Sequence, residues 1–113
     1  AMYYQELINS YVPAPTSTVT ITLSAIKDVG LGNALYILSS INDWDVSQAL
    51  RGTWTEGNVW VFEFVIQANT EVQYKLAIGN YDDPTQGSLT WEANPNRILN
   101  ESTDASYDLT WQD

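Results

Sequence analysis

The sequence predicts an all-β fold: an antiparallel immunoglobulin-like β-sandwich or an open-sided distorted barrel, with a short N-terminal helix or extended arm. Two observations support this fold class. Apolar and polar residues alternate over several short segments, which is the period of a half-buried strand. Turn-forming residues separate these segments at fairly regular intervals, and from residue 19 onward no long helical pattern competes with them.

The chain is predicted to divide into an N-terminal segment, residues 1–17, and a β-sandwich domain, residues 18–113. Apolar residues in the first segment follow helical spacing over barely two turns, at Tyr4, Leu7, Ile8 and Tyr11. Residues 13–18 are rich in proline and threonine, which is typical of an extended linker. We therefore expect the first residues to form a short docked helix or the tail of a connection to a preceding module.

The first part of the domain is predicted to hold two strands and a polar excursion. Val19–Leu23 alternates cleanly, as a half-buried strand does. Residues 28–33 contain two glycines and predict a turn before Ala34–Leu38, whose apolar run indicates a more fully buried strand. Residues 40–50 are polar and turn-like, with room for one helical turn.

Three further strands are predicted in the second part of the domain. The strongest is Val59–Ile66, where one face carries the apolar set Trp60, Phe62, Phe64 and Ile66. Residues 71–78 repeat the pattern, with Gln73 and Lys75 on the polar face. Residues 79–88 are predicted to form a loop, and the last strand spans residues 106–111. One face of this strand carries Tyr107, Leu109 and Trp111.

Composition narrows the range of partners and chemistries. The net charge is −10, so nucleic acid and anionic membranes are repelled and neutral ligands remain. No segment has the length of a membrane span, and no signal peptide with a basic start is visible. There is no cysteine and no histidine, which removes thiolate ligands, the commonest general base and the commonest metal ligand. We expect no cofactor and no metal.

The strongest indication of a binding site is the stretch Trp91-Glu92-Ala93-Asn94-Pro95-Asn96-Arg97. Pro95 fixes its own φ and biases Asn94 towards extended geometry, so the segment predicts a stiff corner. An indole beside several hydrogen-bonding groups suits a sugar, whose C–H faces are apolar and whose rim is hydroxyl. The alternative is a strand-end tryptophan in the core followed by an ordinary turn.

Catalysis and metal binding have little support. Glu92 could be one carboxylate of a glycosidase, but no partner carboxylate can be nominated, and no nucleophile motif is present. Asn80, Asp82 and Asp83, or Asp43 and Asp45, could offer oxygens to calcium. Neither group has the spacing of a calcium loop, and solvated loop carboxylates are the favoured interpretation.

Two of the other tryptophans are predicted to lie in the core, and the burial of the remaining two is left open by the sequence. Trp60 and Trp111 lie on apolar strand faces, which favours the core. Trp44 lies between two aspartates in a polar loop, where it is either partly exposed for a functional reason or tucked beneath the loop. Trp54 lies near a turn and remains undecided.

The residues from about Val19 to Gln112 resemble the starch-binding domain, carbohydrate-binding module family 20. The most specific match is Tyr74-Lys75 in a strand, followed by the corner from Thr90 to Arg97. The segment Leu35–Leu38 ahead of an Asp-Trp pair and the closing strand up to Trp111 support it.

The resemblance implies a first sugar site. Two tryptophans of the family's site match Trp44 and Trp91, and its polar residues match Lys75, Glu92 and Asn96. The two indoles would converge on the outside of the sandwich and grip an α-1,4-glucan, while the polar residues hold hydroxyl groups. Arg97 is expected to orient the corner rather than to bind sugar.

A second site of the family is expected to be altered or lost. Its first tyrosine falls where this chain has Leu31 or Gly32, and the segment before Trp44 is shortened. Trp54 is the only residue that could replace the site's other stacking aromatic.

The resemblance thus implies non-catalytic binding of starch, glycogen, maltooligosaccharides or cyclodextrins, in a monomer covalently linked to an amylolytic enzyme. The habit of the family implies an extracellular location, with intracellular glycogen binding as a minority case. The alternative function is a β-sandwich domain whose surface aromatics meet a protein partner.

Overall fold

The computed structural model describes residues 17–113, and the predictions made for residues 1–16 lie outside that range. Two β-sheets stack face to face, without closing into a barrel. The predicted β-sandwich is therefore confirmed. The strands are β1 (Thr18–Ile26), β2 (Asn33–Ser39), β3 (Leu50–Arg51), β4 (Thr53–Thr55), β5 (Val59–Gln67), β6 (Val72–Asn80), β7 (Thr90–Trp91), β8 (Arg97–Leu99) and β9 (Ala105–Thr110).

The first sheet has the strand order β4-β5-β1-β9. Strands β1 and β5 pair antiparallel over their full lengths, with Leu23 opposite Phe62. Strand β9 lies parallel to β1, with Leu23 opposite Tyr107, so the sandwich departs from the all-antiparallel prediction at this edge. The parallel direction arises because the chain crosses over from β8 in the other sheet before it enters β9.

The second sheet has the order β3-β2-β6-β7, and β8 also pairs with β6. Residues 34–39 of β2 are all buried, as the continuous apolar run predicted. One face of β2 packs against the first sheet. The other face, which we call the outer face of the second sheet, is also covered, and the residues packed against the core include Trp44, Val46 and Ala49. The outer face carries the candidate site.

The core between the sheets follows the period of two along β1 and along most of β5 and β6. Its largest buried side chains include Ile21, Leu23, Leu35, Phe62 and Leu76. Leu38 is buried too, but on the outer face of the second sheet, opposite Lys75. Trp60 is 4% exposed, which confirms its predicted core position, and its indole N–H donates to the Lys27 carbonyl at 3.1 Å. Trp111 packs against the core but stays partly exposed, with the Lys27 ammonium 5.0 Å from its ring centroid.

Short elements complete the connections. The polar excursion at residues 40–50 holds two 3-10 turns, Ser40–Asn42 and Val46–Gln48, rather than one helical turn. The predicted loop at residues 79–88 begins later than expected because β6 continues to Asn80, and it ends in a third turn at Gln86–Ser88.

Gly52 lies where the chain passes from one sheet to the other. Strand β3 pairs with β2 in the second sheet, whereas β4 pairs with β5 in the first. A Cβ on Gly52 would lie 2.8 Å from Cζ of the buried Phe62. We expect Gly52→Ala to lower the free energy of unfolding by about 1–3 kcal/mol, as overpacking does. Urea denaturation tests this, with the exposed Gly87→Ala as the control, since a Cβ there meets nothing within 4 Å.

Candidate functional site

The corner predicted at residues 92–96 interrupts the edge of the second sheet. Strands β7 and β8 both pair with β6, with Trp91 opposite Ala77 and Arg97 opposite Tyr74. The five residues of the corner therefore bulge out opposite only Lys75 and Leu76. The peptide bond between Asn94 and Pro95 is cis. The interruption places Trp91 and the corner beside the outer face of β6.

Trp44 reaches the same outer face through an unusual backbone. Asp43 and Trp44 both have positive φ, 58° and 60°, a conformation uncommon for any residue other than glycine. The Trp44 amide donates to the Ser39 carbonyl at 2.9 Å, and the Asp45 carboxylate accepts from the Ser47 amide at 2.9 Å. These bonds on both sides of Trp44 hold the strained pair, and strain of this kind concentrates at functional sites.

The fold brings Trp44 and Trp91 together although they are far apart in sequence. Their ring centroids are 6.3 Å apart and the ring planes are inclined at 57°. Both side chains pack against the core and both remain partly exposed. The result is an angled pair of indoles, which we call the tryptophan cradle, on the outside of the second sheet.

Amide and ammonium groups flank the cradle. The Lys75 ammonium donates to Oδ1 of Asn94 at 2.5 Å, and the Asn96 amide donates to Oε1 of Gln73 at 3.2 Å. Gln73 and Lys75 alternate with buried residues on β6 and so share its outer face with Ala77, the partner of Trp91. Sequence reasoning missed Gln73 and Asn94, although their positions beside Lys75 and Asn96 were a usable signal.

The structure corrects the assignment of Glu92 as a sugar ligand. Its side chain has no exposed surface, and both of its oxygens are hydrogen-bonded within the protein. Arg97 forms two hydrogen bonds to the carboxylate, both 2.9 Å, and the Leu76 amide donates to it at 2.8 Å. The corner leaves the Leu76 amide without a strand partner, and Glu92 supplies the missing acceptor. Glu92 and Arg97 therefore hold the corner in place.

Gln112 is a second residue that fixes the corner and that sequence reasoning missed. Its backbone amide donates to Glu92 at 3.2 Å, and its side-chain amide donates to the carbonyls of Ala93 and Pro95 at 3.2 and 3.0 Å. Burial raises the pKa of Glu92, but the hydrogen bonds from Arg97, Leu76 and Gln112 outweigh burial, so the pKa lies below its usual value.

Trp54 lies apart from the cradle, on the edge strand of the first sheet. It is 51% exposed, and its indole N–H donates to Oδ1 of Asn58 at 3.2 Å. It lines a depression of about 330 Å³ together with Leu31 and Trp60. The side chain of Leu31 is fully exposed beside it.

Two of the candidate calcium ligands, Asp45 and Asn80, use their side-chain oxygens for local hydrogen bonds. Asp45 binds the backbone and side chain of Ser47, and these hydrogen bonds lower its pKa. Asn80 accepts from the amides of Asp82 and Asp83. Within residues 17–113 no three acidic, histidine or cysteine side chains come together in a cluster that could hold a metal ion. Over the same residues, no helix has both the length and the apolar character needed to cross a membrane.

Comparison with known proteins identifies the family. The profile described as "Starch binding domain" matches residues 18–111. The chain belongs to the starch-binding domain family. Members of this family are non-catalytic modules that bind starch, so this chain is a starch-binding domain and not an enzyme in itself.

A curated relative is similar to most of the chain. The starch-binding domain is 28% identical over 100 residues to Glucoamylase-1 of Schizophyllum commune, a match that covers 84% of this chain and 16% of that protein. The chain thus spans about a sixth of that relative's length.

Two solved structures share the fold of the starch-binding domain. Glycoside hydrolase family 15 glucoamylase from Hypocrea jecorina superposes with a TM-score of 0.73 at 22% identity, over 91% of this chain and 19% of that one. The family 20 carbohydrate-binding module of a maltotetraose-forming amylase from Pseudomonas saccharophila has a TM-score of 0.65 at 18% identity, over 79% of this chain and 100% of that one.

Proposed function

We propose that the tryptophan cradle is the starch-binding surface and that it stacks on glucose residues of an α-1,4-glucan. The observation that supports this is the 57° inclination of two partly exposed indoles 6.3 Å apart. An α-1,4-glucan curves, so two of its glucose residues present apolar faces at an angle to each other. Flat parallel rings would suit a straight chain instead.

Lys75 and Asn96 supply the polar contacts. In the free domain they are paired with Asn94 and Gln73, which are exposed or partly exposed side chains that a hydroxyl group can displace. The backbone of the corner is held by Glu92, Arg97 and Gln112, so the cradle is arranged before the sugar arrives. An exposed hydrogen bond contributes only about 1 kcal/mol, so a Kd of roughly 10 μM to 1 mM is expected.

Trp54 supports a second and weaker contact with glucan. Its ring is exposed, yet the position that would face it is occupied by the aliphatic Leu31 rather than by another aromatic ring. A single ring without a partner offers less stacking area than the cradle.

The larger role is the targeting of an attached amylolytic enzyme to its polysaccharide outside the cell. The comparisons with glucoamylases support this, as each of them is much longer than the matched segment. A domain with modest affinity gains from such attachment because tethering raises the effective concentration of the enzyme at the granule. We expect the isolated domain to be monomeric.

Retention on insoluble starch tests the proposed function. We expect the purified chain to be retained on granular starch but not on cellulose, whose chains are straight, and to be eluted by soluble maltoheptaose. Equal retention on the two solids would contradict glucan recognition by the cradle. Release of reducing sugar from soluble starch by the isolated chain would contradict a purely binding role.

A further inference from the structure

A second group of side chains lies on the same outer face as the tryptophan cradle. The strand registers place Arg51 opposite Tyr36, Tyr36 opposite Ala77, and Ala77 opposite Trp91. Residues opposite one another in a sheet point to the same face, so Arg51 and Trp91 share a face. Three strand spacings of about 4.8 Å separate their backbones, roughly 14 Å in all.

Arg51 contacts the exposed Tyr81 on the outer face. The guanidinium carbon lies 4.0 Å from the centroid of the Tyr81 ring, and the Arg51 Nη1 donates to the Tyr81 carbonyl at 2.9 Å. The Tyr36 hydroxyl also donates towards the carbonyls of Asn80 and Tyr81, at 2.6 and 3.0 Å. Tyr81 is thereby held at its backbone carbonyl and on one face of its ring, yet it remains 44% exposed. A fixed and exposed aromatic ring costs little entropy when a ligand stacks on it.

Tyr81 borders a cleft of about 500 Å³ that is also lined by Val46, Ser47, Asp82 and Asp83. Val46 and Ser47 follow Trp44 closely in sequence, so one segment joins the cradle to the cleft. The cleft offers hydroxyl and carboxylate oxygens, and the guanidinium of Arg51 provides donors. An aromatic ring with mixed donors and acceptors fits a polyhydroxylated neutral ligand, and the net charge of −10 disfavours an anion.

We propose that the Arg51–Tyr81 cleft is an additional glucan subsite, in which Tyr81 stacks on a sugar several residues along the same chain that occupies the cradle. This inference rests on the proposed function of the cradle. Arg51 acts as a positioning residue for the Tyr81 ring. The subsite makes affinity depend on chain length, because a short oligosaccharide fills the cradle alone and a longer linear one reaches both surfaces.

Calorimetric titration with three ligands tests the subsite: maltotriose, linear maltoheptaose, and a cyclic glucan with the same number of glucose residues as maltoheptaose. We expect wild type to bind maltoheptaose about tenfold more tightly than maltotriose, the factor expected from one more aromatic contact. Tyr81→Ala should abolish this gain and leave the Kd for maltotriose and for the cyclic glucan unchanged. Tyr81→Phe should retain the gain because it keeps the ring.

Tyr107→Ala is the matched control, since Tyr107 is 42% exposed on a different part of the surface. A length-dependent gain that survives in Tyr81→Ala would overturn the subsite while leaving the cradle intact. An equal loss for all three ligands would also overturn it, as Tyr81 would then act through the fold or the cradle. Failure of wild type to bind even maltotriose would instead refute the proposed function.

Discussion

Trp91→Ala is expected to weaken binding to starch by about 10- to 100-fold. Loss of a large aromatic contact costs about 1.5–3 kcal/mol, and each 1.4 kcal/mol is a factor of ten in Kd. The effect should exceed that of any single polar substitution at the site because each exposed hydrogen bond is worth only about 1 kcal/mol. Binding isotherms on granular starch, with the free protein measured by absorbance, would give the ratio directly.

Two control variants test whether the loss of binding in Trp91→Ala comes from the cradle itself. Trp54→Ala removes an indole of the same size from a more exposed position on the other sheet, and it should reduce affinity much less. Trp91→Phe should be intermediate, since a smaller ring remains in the cradle. Because Trp91 also packs against the core, urea denaturation must show that each variant is folded. A folded Trp91→Ala that binds starch as wild type does would exclude the cradle as the binding surface.

The sequence alone predicted the long strands well because each is long enough to show a period. In Val59–Gln67 the buried residues, Trp60, Phe62 and Ile66, all belong to the predicted apolar face. In Val72–Asn80 the alternation holds from residue 72 to residue 76 and then breaks, because Ala77 on the outer face is buried as well. The strands that were missed, β3, β4, β7 and β8, are two or three residues long. A segment that short has no measurable period, and its pairing is determined by tertiary contacts.

The candidate site was predictable in part. The motif around Trp91 and the Asp-Trp at Trp44 indicated the two stacking residues, and folding brings them together. The burial of the Glu92 side chain was not predictable, because the side chain binds the backbone amide of Leu76. That amide lacks a strand partner only because β7 and β8 both pair with β6 and leave a gap between them. The stacking of Arg51 on Tyr81 joins residues thirty positions apart and leaves no local signal.

Glu92→Ala is expected to lower the free energy of unfolding by about 3–5 kcal/mol, the usual cost of removing one partner from a buried ion pair. The variant leaves Arg97 without its carboxylate and the Leu76 amide without an acceptor. For a domain of about 100 residues, each kcal/mol shifts Tm by roughly 4–8 °C, so a fall of about 12–40 °C follows. Thermal unfolding followed by circular dichroism would measure it.

Glu92→Gln separates the structural role of the residue from a role in sugar contact. It keeps the shape of the side chain and should destabilise the fold less than Glu92→Ala, by about 1.5–3 kcal/mol for the loss of charged hydrogen bonds. Below its unfolding temperature, the folded Glu92→Gln should bind maltotriose as wild type does, because the carboxylate has no exposed surface. A tenfold loss of affinity in this folded variant would show that sugar binding needs the Glu92 carboxylate, and would contradict a role confined to stability.

The pH dependence of stability, compared between wild type and Glu92→Gln, tests whether the charge of Glu92 stabilises the fold. Because the pKa of Glu92 is lower in the folded state than in the unfolded state, the stabilisation is present at neutral pH. It is lost as pH falls from the ordinary glutamate pKa of about 4.3, which applies to the unfolded chain, through the lower folded-state pKa, since the unfolded chain then binds the proton more readily. The difference in unfolding free energy between wild type and Glu92→Gln should therefore shrink in acid. A difference that stays constant from pH 7 to about pH 3 would show that the charge of Glu92 contributes nothing to holding the corner.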